Sequence, residues 1–307
     1  MDDKEFKEKY DKLKNSKFRQ QKLPGWRPVP TLSCITIIYL SFAVFFILFG
    51  IIILVFNSQV QEIKFRYDNW NQTQSRICSF NIPEKMKKPI MIYYQIDDFS
   101  QNHRVYMESK SDKQLKGEDL SKGDLEKSGE CEYALTNKEM NIRQWNTQTE
   151  EEEVAIPCGL MAKSYLRDEF NDWKNNGKEI KIRIEDIAYK SDKEKYNNID
   201  YDDPQNSRQW ANMSDERFMI WMRPSPFSSV RKLWGIIDEE DIEKGMIEVK
   251  INFKNYFSYK KYIILSTRNV FGGKNMFLGI CYIIFGVLCL VSSIIFIITF
   301  NSFHNKK

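Results

Sequence analysis

The stretch Leu32–Phe56, LSCITIIYLSFAVFFILFGIIILVF, contains 25 residues and no charged side chain. A second stretch of the same length, Met276–Phe300, also lacks charged residues and lies near the other end of the chain. A helix needs about 20 apolar residues to cross the hydrocarbon core of a bilayer. Core helices of soluble proteins are rarely so long and so uniformly apolar, so we predict two transmembrane helices.

The first apolar stretch differs from a cleaved signal peptide. Signal peptides have an apolar region of about 7–15 residues followed by a cleavage site of small residues. Here the apolar stretch is longer, and the residues after it, NSQVQEIKF, offer no such site. We therefore expect the first helix to remain in the mature protein as a signal anchor.

Basic residues beside the helices predict the orientation of the chain. Four precede the first helix and two follow it at similar distance, namely Lys17, Arg19, Lys22 and Arg27 before it and Lys64 and Arg66 after it. The excess of positive charge places the N-terminus in the cytosol. The flanks of the second helix show the opposite bias, but the first helix usually dominates. Two crossings then return the C-terminus to the cytosol.

This orientation divides the chain into five parts. They are a cytosolic N-terminal arm (1–31), helix one (32–56), an extracytoplasmic domain (57–275), helix two (276–300) and a cytosolic tail (301–307). The extracytoplasmic domain contains two glycosylation sequons, Asn71-Gln-Thr and Asn212-Met-Ser. We expect N-linked glycans on Asn71 and Asn212.

The cysteines predict one disulfide. Cys34, Cys281 and Cys289 lie in the apolar stretches and are expected to be packing residues. The extracytoplasmic domain holds three more, Cys78, Cys131 and Cys158, and an oxidising compartment favours pairing. Three is an odd number, so at most one internal bridge forms. We expect Cys131–Cys158, because the segment between them is polar, with a stabilisation of about 3.5 kcal/mol from loop closure. Cys78 is left free or paired between chains.

The extracytoplasmic domain shows mostly strand patterns. Apolar and charged residues alternate over 63–67, 180–184 and 247–253, and apolar runs suggest further strands over 90–96 and 262–267. This period of two predicts an antiparallel sheet with one buried face. We expect short helices over 159–173 and around 230–237. The polar stretches 109–130 and 136–153 are expected to be solvated loops.

Small residues recur every seventh position in both apolar stretches. The two sets are Thr36, Ala43 and Gly50 in helix one, and Gly279, Gly286 and Ser293 in helix two. Each set forms a stripe on one helical face, and membrane helices pack closely along such faces. Neither helix contains an ionisable residue, so we expect no transport pathway within this chain alone.

The sequence contains no recognisable catalytic motif. P-loop, H-E-x-x-H and G-x-S-x-G patterns are missing, and the chain has only two histidines. No cysteine or histidine spacing indicates a metal site. We therefore expect no enzymatic activity, no cofactor, no metal and no nucleic-acid partner.

Five stretches of the chain carry a family resemblance, namely FRQQKLPGW (18–26), IYYQIDDFSQNHRVYMESKSDKQLKG (92–117), PCGLMAKSYLRD (157–168), ERFMIWMRPSPFSSVRKLWGII (216–237) and ILSTRNVFGGKNMFLGICYI (264–283). In this order and with this two-helix layout, they resemble the cell-division-control protein fifty family, also called the Lem-three family. Family members are the non-catalytic beta subunits of type IV P-type ATPases, the phospholipid flippases. The resemblance implies a β-rich, sandwich-like extracytoplasmic domain with short helices between two transmembrane helices.

The resemblance implies a heterodimer with the catalytic alpha subunit of a flippase. The beta subunit supports that partner's folding, its exit from the endoplasmic reticulum and its transport cycle, in which aminophospholipids move from the exoplasmic to the cytosolic leaflet. The resemblance also implies residence in the endoplasmic reticulum, the Golgi or endosomes, or the plasma membrane. The partner and membrane lipids are the expected binding partners. The matched residues expected at the interface are Phe18, Arg19, Gln20, Gln21, Lys22, Leu23, Pro24, Trp26, Trp221, Arg223, Gly272, Gly273 and Lys274.

Several matched residues also have physical interpretations. The prolines of the arm stop helix one from continuing into the cytosol. Trp26 suits the membrane interface, so we expect the arm to lie along the membrane surface as a docking segment. Gly272 and Gly273 can take a positive φ and turn the chain into the membrane. For Trp221, core packing is an equally good alternative.

The chain departs from the family pattern at two places. Many members have a cysteine cluster early in the extracytoplasmic domain, and only Cys78 matches it. The pair matching Cys131 and Cys158 is retained. The family's Ser-Trp before GGKN falls within 268–271, where this chain has RNVF.

Two other function classes share parts of this layout. Subunits of trimeric two-helix ligand-gated channels have short cytosolic tails and one large disulfide-bearing loop, although usually with more cysteines. A membrane-tethered enzyme is the third alternative.

Overall fold

The computed structural model describes residues 3–22, 25, 31–68, 76–142, 150–199, 208–254 and 259–304. These residues form two compact units, one of residues 1–52 with 277–307 and one of residues 53–276. The helices are α1 Asp3–Asn15, α2 Leu32–Ser58, α3 Arg104–Glu108, α4 Asp112–Leu115, α5 Lys122–Ser128, α6 Asn137–Met140, α7 Leu160–Lys163, α8 Lys190–Lys193, α9 Glu216–Trp221 and α10 Met276–His304. The strands are β1 Glu62–Arg66, β2 Arg76–Ile82, β3 Ile90–Asp97, β4 Glu169–Asn175, β5 Lys178–Glu179, β6 Val230–Ile237, β7 Gly245–Asn252 and β8 Lys260–Thr267.

Two long helices form where the apolar stretches predict them. Helices α2 and α10 are long and apolar enough to cross a membrane, judged by length and composition. Most of their large apolar side chains are exposed in the protein, as a lipid environment requires. Helix α1, which is rich in lysine and glutamate, has no counterpart in the sequence predictions.

The unit between the apolar helices contains two antiparallel sheets of four strands. The strand orders are β1-β8-β3-β6 and β2-β7-β4-β5. Side chains from the two sheets meet in one core: the rings of Phe65 (β1) and Phe80 (β2) stack 5.1 Å apart, and those of Phe170 (β4) and Trp234 (β6) lie 5.4 Å apart. The predicted antiparallel, sandwich-like domain with short helices is therefore confirmed.

Of the two short helices that the sequence predicts, one is wrong and the other is right only over its first turn. Residues 230–237 form strand β6, which pairs with β3 along its length except at Trp234, where the register shifts. Of residues 159–173, only Leu160–Lys163 is helical, and the segment from Glu169 onward is strand β4. In that strand Phe170 and Trp173 are buried, so tertiary packing overrides the local helical pattern.

The predicted strand over 180–184 forms only one bridge, between Arg183 and Ile236. Ile182 packs directly over Gly235 of β6, where an added Cβ would lie 2.7 Å from Ile182 Cγ2. The alternating isoleucines therefore line the rim of the sheet and do not extend it.

The two polar stretches are not simple loops. They contain helices α4, α5 and α6, and the side chains of Ser111, Ser121 and Thr136 cap the three N-termini. Each helix buries one apolar residue, Leu115, Leu125 or Met140. Each helix has only four to seven residues, which is too short for a periodic pattern to show in the sequence.

Candidate interaction sites

The predicted small residues lie at the contact between α2 and α10. A Cβ added to Gly286 would lie 2.6 Å from Ile47 Cγ1 and 3.2 Å from the carbonyl oxygen of Ala43. A Cβ added to Gly50 would lie 3.1 Å from the carbonyl oxygen of Gly279. The Cβ added to Gly50 would also lie 2.8 Å from Ile283 Cγ1. At each glycine one contact is thus shorter than real Cβ atoms show and the contact with a backbone oxygen is tight, so glycine permits the close approach of the two backbones.

Further along the same contact, Ser293 is buried and its Oγ donates a long hydrogen bond of 3.5 Å to the carbonyl oxygen of Thr36. The two stripes run in opposite directions, because Thr36 faces Ser293 at one end and Gly50 faces Gly279 at the other. The helices are therefore antiparallel, and each stripe packs against the other within this chain.

The N-terminal arm presents exposed side chains. Phe18, Arg19, Gln20, Gln21 and Lys22 are all exposed, in a turn that follows α1. The turn is held by a 2.8 Å hydrogen bond from the Lys22 amide to the carbonyl oxygen of Lys17. The remaining predicted arm residues, Leu23, Pro24 and Trp26, lie outside the described residues.

Trp221 belongs to the core. Its side chain is completely buried, and its indole Nε1 donates a 2.8 Å hydrogen bond to the carbonyl oxygen of Met161. Its ring stacks with Tyr94 and Phe99 at 6.3 and 5.9 Å. A residue without exposed surface offers nothing to a partner, so the structure corrects the prediction that Trp221 contacts one.

Arg223, two residues further on, is exposed. Its guanidinium forms two hydrogen bonds with Asp192 and lies 4.1 Å from the centre of the Tyr189 ring. Its backbone carbonyl accepts a hydrogen bond from Nζ of Lys232, which is buried. Burial and, secondarily, the neighbouring Arg223 charge lower the pKa of Lys232 to about 8. Arg223 therefore contacts Asp192 and Tyr189 through its side chain and the buried Lys232 through its backbone carbonyl.

The segment before α10 is built around a tight turn. Gly272 has a φ of +105°, as predicted, whereas Gly273 does not take a positive φ. The turn closes through reciprocal backbone hydrogen bonds between Asn269 and Gly272, of 2.9 and 3.1 Å. Gly273 and Lys274 are exposed beside it. These two residues remain accessible to a partner.

Cys131 and Cys158 form a disulfide in the structure. Gly159, the next residue, has a φ of +103° and lies against the Ser109 carbonyl, where an added Cβ would come within 2.2 Å. The Cys158 amide donates a 3.0 Å hydrogen bond to Gln114 Oε1. The Pro-Cys-Gly stretch therefore contacts both the segment 109–114 and the segment at Cys131.

Cys78 is buried in strand β2 and is free. A buried thiol has no access to a second chain, so pairing of Cys78 between chains is excluded by the fold. Burial raises its pKa to about 11.

Asn212 is half-buried. Its Oδ1 accepts hydrogen bonds of 2.9 Å from Nδ2 of Asn198 and from the Ser214 amide. Asn71 lies outside the described residues.

Among the described residues, no group of three or more His, Cys, Asp and Glu side chains is placed to hold a metal ion. One group of cations, Lys85, Lys87 and Lys88, was not predicted from the sequence and lies near Arg268 of the turn segment. The sequence feature that indicates this group is the run EKMKK (84–88), in which the buried Met86 separates exposed lysines.

Comparison with known proteins is consistent with this arrangement. The family model of the LEM3 (ligand-effect modulator 3) family / CDC50 family matches residues 53–306. ALA-interacting subunit 3 of Arabidopsis thaliana is 32% identical to the chain, over 94% of this chain and 86% of that protein. Cell cycle control protein 50A of Bos taurus is 26% identical, over 95% and 90%. Phospholipid-transporting ATPase accessory subunit LEM3 of Saccharomyces cerevisiae is 26% identical, over 96% and 84%. The match spans both sheets and helix α10, and this chain therefore belongs to the LEM3/CDC50 family.

Proposed function

We propose that this protein is the non-catalytic accessory subunit of a phospholipid-transporting P-type ATPase. The observation that carries the proposal is the family match over residues 53–306, together with relatives of nearly full-length similarity whose names describe interacting or accessory subunits. The catalytic alpha subunit performs ATP hydrolysis and moves the lipid. This chain supports the folding of that subunit, its exit from the endoplasmic reticulum and its transport cycle.

The proposed topology follows from the charge around helix α2. Lys17, Arg19 and Lys22 precede it and favour a cytosolic N-terminus. Residues 57–275 then lie on the exoplasmic or luminal side, and the C-terminus is cytosolic. The complex resides in the endoplasmic reticulum, in the Golgi or endosomes, or in the plasma membrane. Because Asn71 and Asn212 then lie on that side of the membrane, we also propose that both carry N-linked glycans. Treatment with peptide-N-glycosidase should therefore shift the protein to lower apparent mass on a gel.

Three exposed surfaces are the proposed contacts with the alpha subunit. The first is the arm, with Phe18 at its centre, since a phenylalanine that is 75% exposed suits burial against a partner. The second is Arg223, whose planar cation is held over an aromatic ring. The third is the turn segment at Gly272, Gly273 and Lys274.

Co-purification tests the proposal. The full chain, solubilised in mild detergent, should bring down a large P-type ATPase that mass spectrometry identifies. Loss of the chain should lower uptake of fluorescent phosphatidylserine by the cell. A symmetric homotrimer in native mass measurements, with no ATPase bound, would contradict the proposal and favour a channel subunit.

Matched variants test the contacts. Phe18→Ala should reduce recovery of the ATPase, whereas Phe6→Ala, an exposed phenylalanine of α1, should not. Arg223→Ala should reduce it more than Arg208→Ala, an exposed arginine that pairs with Asp119. If the two variants of a matched pair recover equal amounts of the ATPase, the surface they test is not part of the interface.

A further inference from the structure

A groove of about 620 Å³ lies beside the C-terminal ends of helix α2 and strand β8. Four cations line it, Lys85, Lys87, Lys88 and Arg268, together with the apolar side chains of Phe56 and Val270. We call this the basic groove. Phe56 lies in the last turn of α2, so the groove adjoins the end of a helix that is long and apolar enough to cross a membrane.

A backbone bridge holds the lysines in place. The Met86 amide donates to the carbonyl oxygen of Ile242 at 2.9 Å, and the Ile242 amide returns a 3.0 Å hydrogen bond. Met86 is completely buried. Since successive side chains of an extended segment point to opposite sides, burial of Met86 turns Lys85 and Lys87 outward.

The cations differ in how far their charge is neutralised. Lys85 forms ion pairs with Asp241 and Glu243, at 3.2 and 2.7 Å. Lys87 and Arg268 are exposed and form no ion pair with the described residues. Lys88 also forms no ion pair with the described residues, but its Nζ donates a 2.8 Å hydrogen bond to the carbonyl oxygen of Glu239. Lys87 and Arg268 therefore remain to bind a ligand.

The turn Asn269–Gly272 forms the apolar side of the groove. Nδ2 of Asn269 donates a 2.8 Å hydrogen bond to the carbonyl oxygen of Phe56, which fixes the turn to the end of α2. Val270, at the tip, is 88% exposed, and Phe271 packs edge-on against Phe56 at 5.6 Å. Exposed apolar residues at the end of a membrane helix match the boundary between headgroups and acyl chains.

From this juxtaposition we infer that the basic groove binds the headgroup phosphate of an anionic phospholipid in the bilayer that α2 crosses. Lys87 and Arg268 contact the phosphate, and Val270 contacts the upper part of the acyl chains. A free phosphate ion makes no use of the apolar tip. This inference goes beyond the proposed function, because an accessory role requires no lipid site on this chain.

Native mass spectrometry of the full chain in detergent tests the inference. The chain is titrated with phosphatidylserine or phosphatidylcholine of the same acyl composition, and the lipid adducts are counted. Wild type should bind phosphatidylserine more tightly than phosphatidylcholine. Lys87→Gln/Arg268→Gln should weaken phosphatidylserine binding by about 30-fold, since each cation near an anionic lipid surface contributes roughly fivefold. Val270→Ser should weaken binding of both lipids.

The matched control is Arg76→Gln/Lys122→Gln, which removes one exposed arginine and one exposed lysine elsewhere in the same unit. This variant should bind as wild type does, and equal thermal transitions show that all variants fold. Equal binding by wild type and Lys87→Gln/Arg268→Gln overturns the inference, and so does displacement of the lipid by millimolar inorganic phosphate. Loss of ATPase recovery with lipid binding unchanged assigns the groove to a protein partner instead. The titration measures adducts of this chain itself, so its outcome is independent of the proposed accessory function.

Discussion

Lys261 Nζ lies 2.9 Å from Asp168 Oδ2, and both side chains are completely buried. The two residues are 93 positions apart and join β8 to the segment just before β4, so the ion pair links the two sheets. Asp168 also accepts hydrogen bonds from the Tyr67 hydroxyl at 3.2 Å and from the Lys254 amide at 3.0 Å. The carboxylate is thus the centre of a buried polar network, and removing one partner leaves an uncompensated charge.

Lys261→Met should lower the free energy of unfolding by about 3–5 kcal/mol, because the buried carboxylate of Asp168 then loses the ammonium group that lies 2.9 Å from it. Lys261→Met/Asp168→Asn should recover part of that loss, since asparagine keeps an oxygen for Tyr67 and removes the charge. Thermal or denaturant unfolding of the full chain in detergent measures both variants. The control is Lys260→Met at the next position, whose partner Asp98 is exposed. Equal losses for the two lysine variants contradict the prediction.

The thiol of Cys78 should be unreactive in the folded protein. It is buried, and burial raises its pKa to about 11, so little thiolate is available near neutral pH. A maleimide reagent should modify it only after unfolding. Because the membrane helices also contain cysteines, the measurement uses a Cys34→Ser/Cys281→Ser/Cys289→Ser background and maps the label by mass spectrometry. Rapid labelling of Cys78 in the folded protein is the opposing result.

Lys232 should make stability rise with pH in the alkaline range. Its pKa falls from 10.5 to about 8 on folding, so between those values the unfolded chain binds a proton that the folded chain has released. The protonated lysine therefore costs folding about 3 kcal/mol at neutral pH, and this cost disappears between about pH 8 and pH 10.5.

The test compares wild type with Lys232→Met, which has no titrating group at this position. The variant should be the more stable at pH 7, and its advantage should shrink as the pH rises towards 10.5. Lys122→Met, at an exposed lysine, controls for changes in net charge. A stability difference between wild type and Lys232→Met that stays constant from pH 7 to pH 10.5 would falsify this prediction.

Gly286→Leu should separate α2 from α10. The added side chain meets Ile47 and the backbone of Ala43 within 3.2 Å, and backbone atoms cannot move aside cheaply. We expect a lower thermal transition of the full chain in detergent and a lower yield of folded protein. Val287→Leu, at an exposed position of the same helix, should change neither. Equal behaviour of the two variants means that the helices do not pack along this face.

The membrane helices and four of the eight described strands, β1, β3, β7 and β8, were predictable because their signals are local. An uninterrupted apolar run is sufficient to define α2 and α10, and alternation over 247–253 is sufficient to define β7. Residues 230–237 were misassigned because apolar and basic residues there also fit a helix. Pairing with β3, which lies more than 100 residues earlier in the chain, decides the outcome. Trp221 was ambiguous for the same reason, since an aromatic residue beside a basic one occurs both at interfaces and in cores.

The sequence alone determined the membrane anchoring, the antiparallel β domain, the pairing of Cys131 with Cys158 and the family, because each depends on residue type and spacing along the chain. Only the tertiary structure decided which side chains remain accessible. It buries Trp221 and Cys78, leaves Arg223 exposed, joins Lys261 to Asp168 and gathers Lys87 and Arg268 at one groove. Those outcomes depend on contacts between residues far apart in sequence. Burying a charge or exposing an apolar side chain costs free energy, and which side chains are buried is decided only by those contacts.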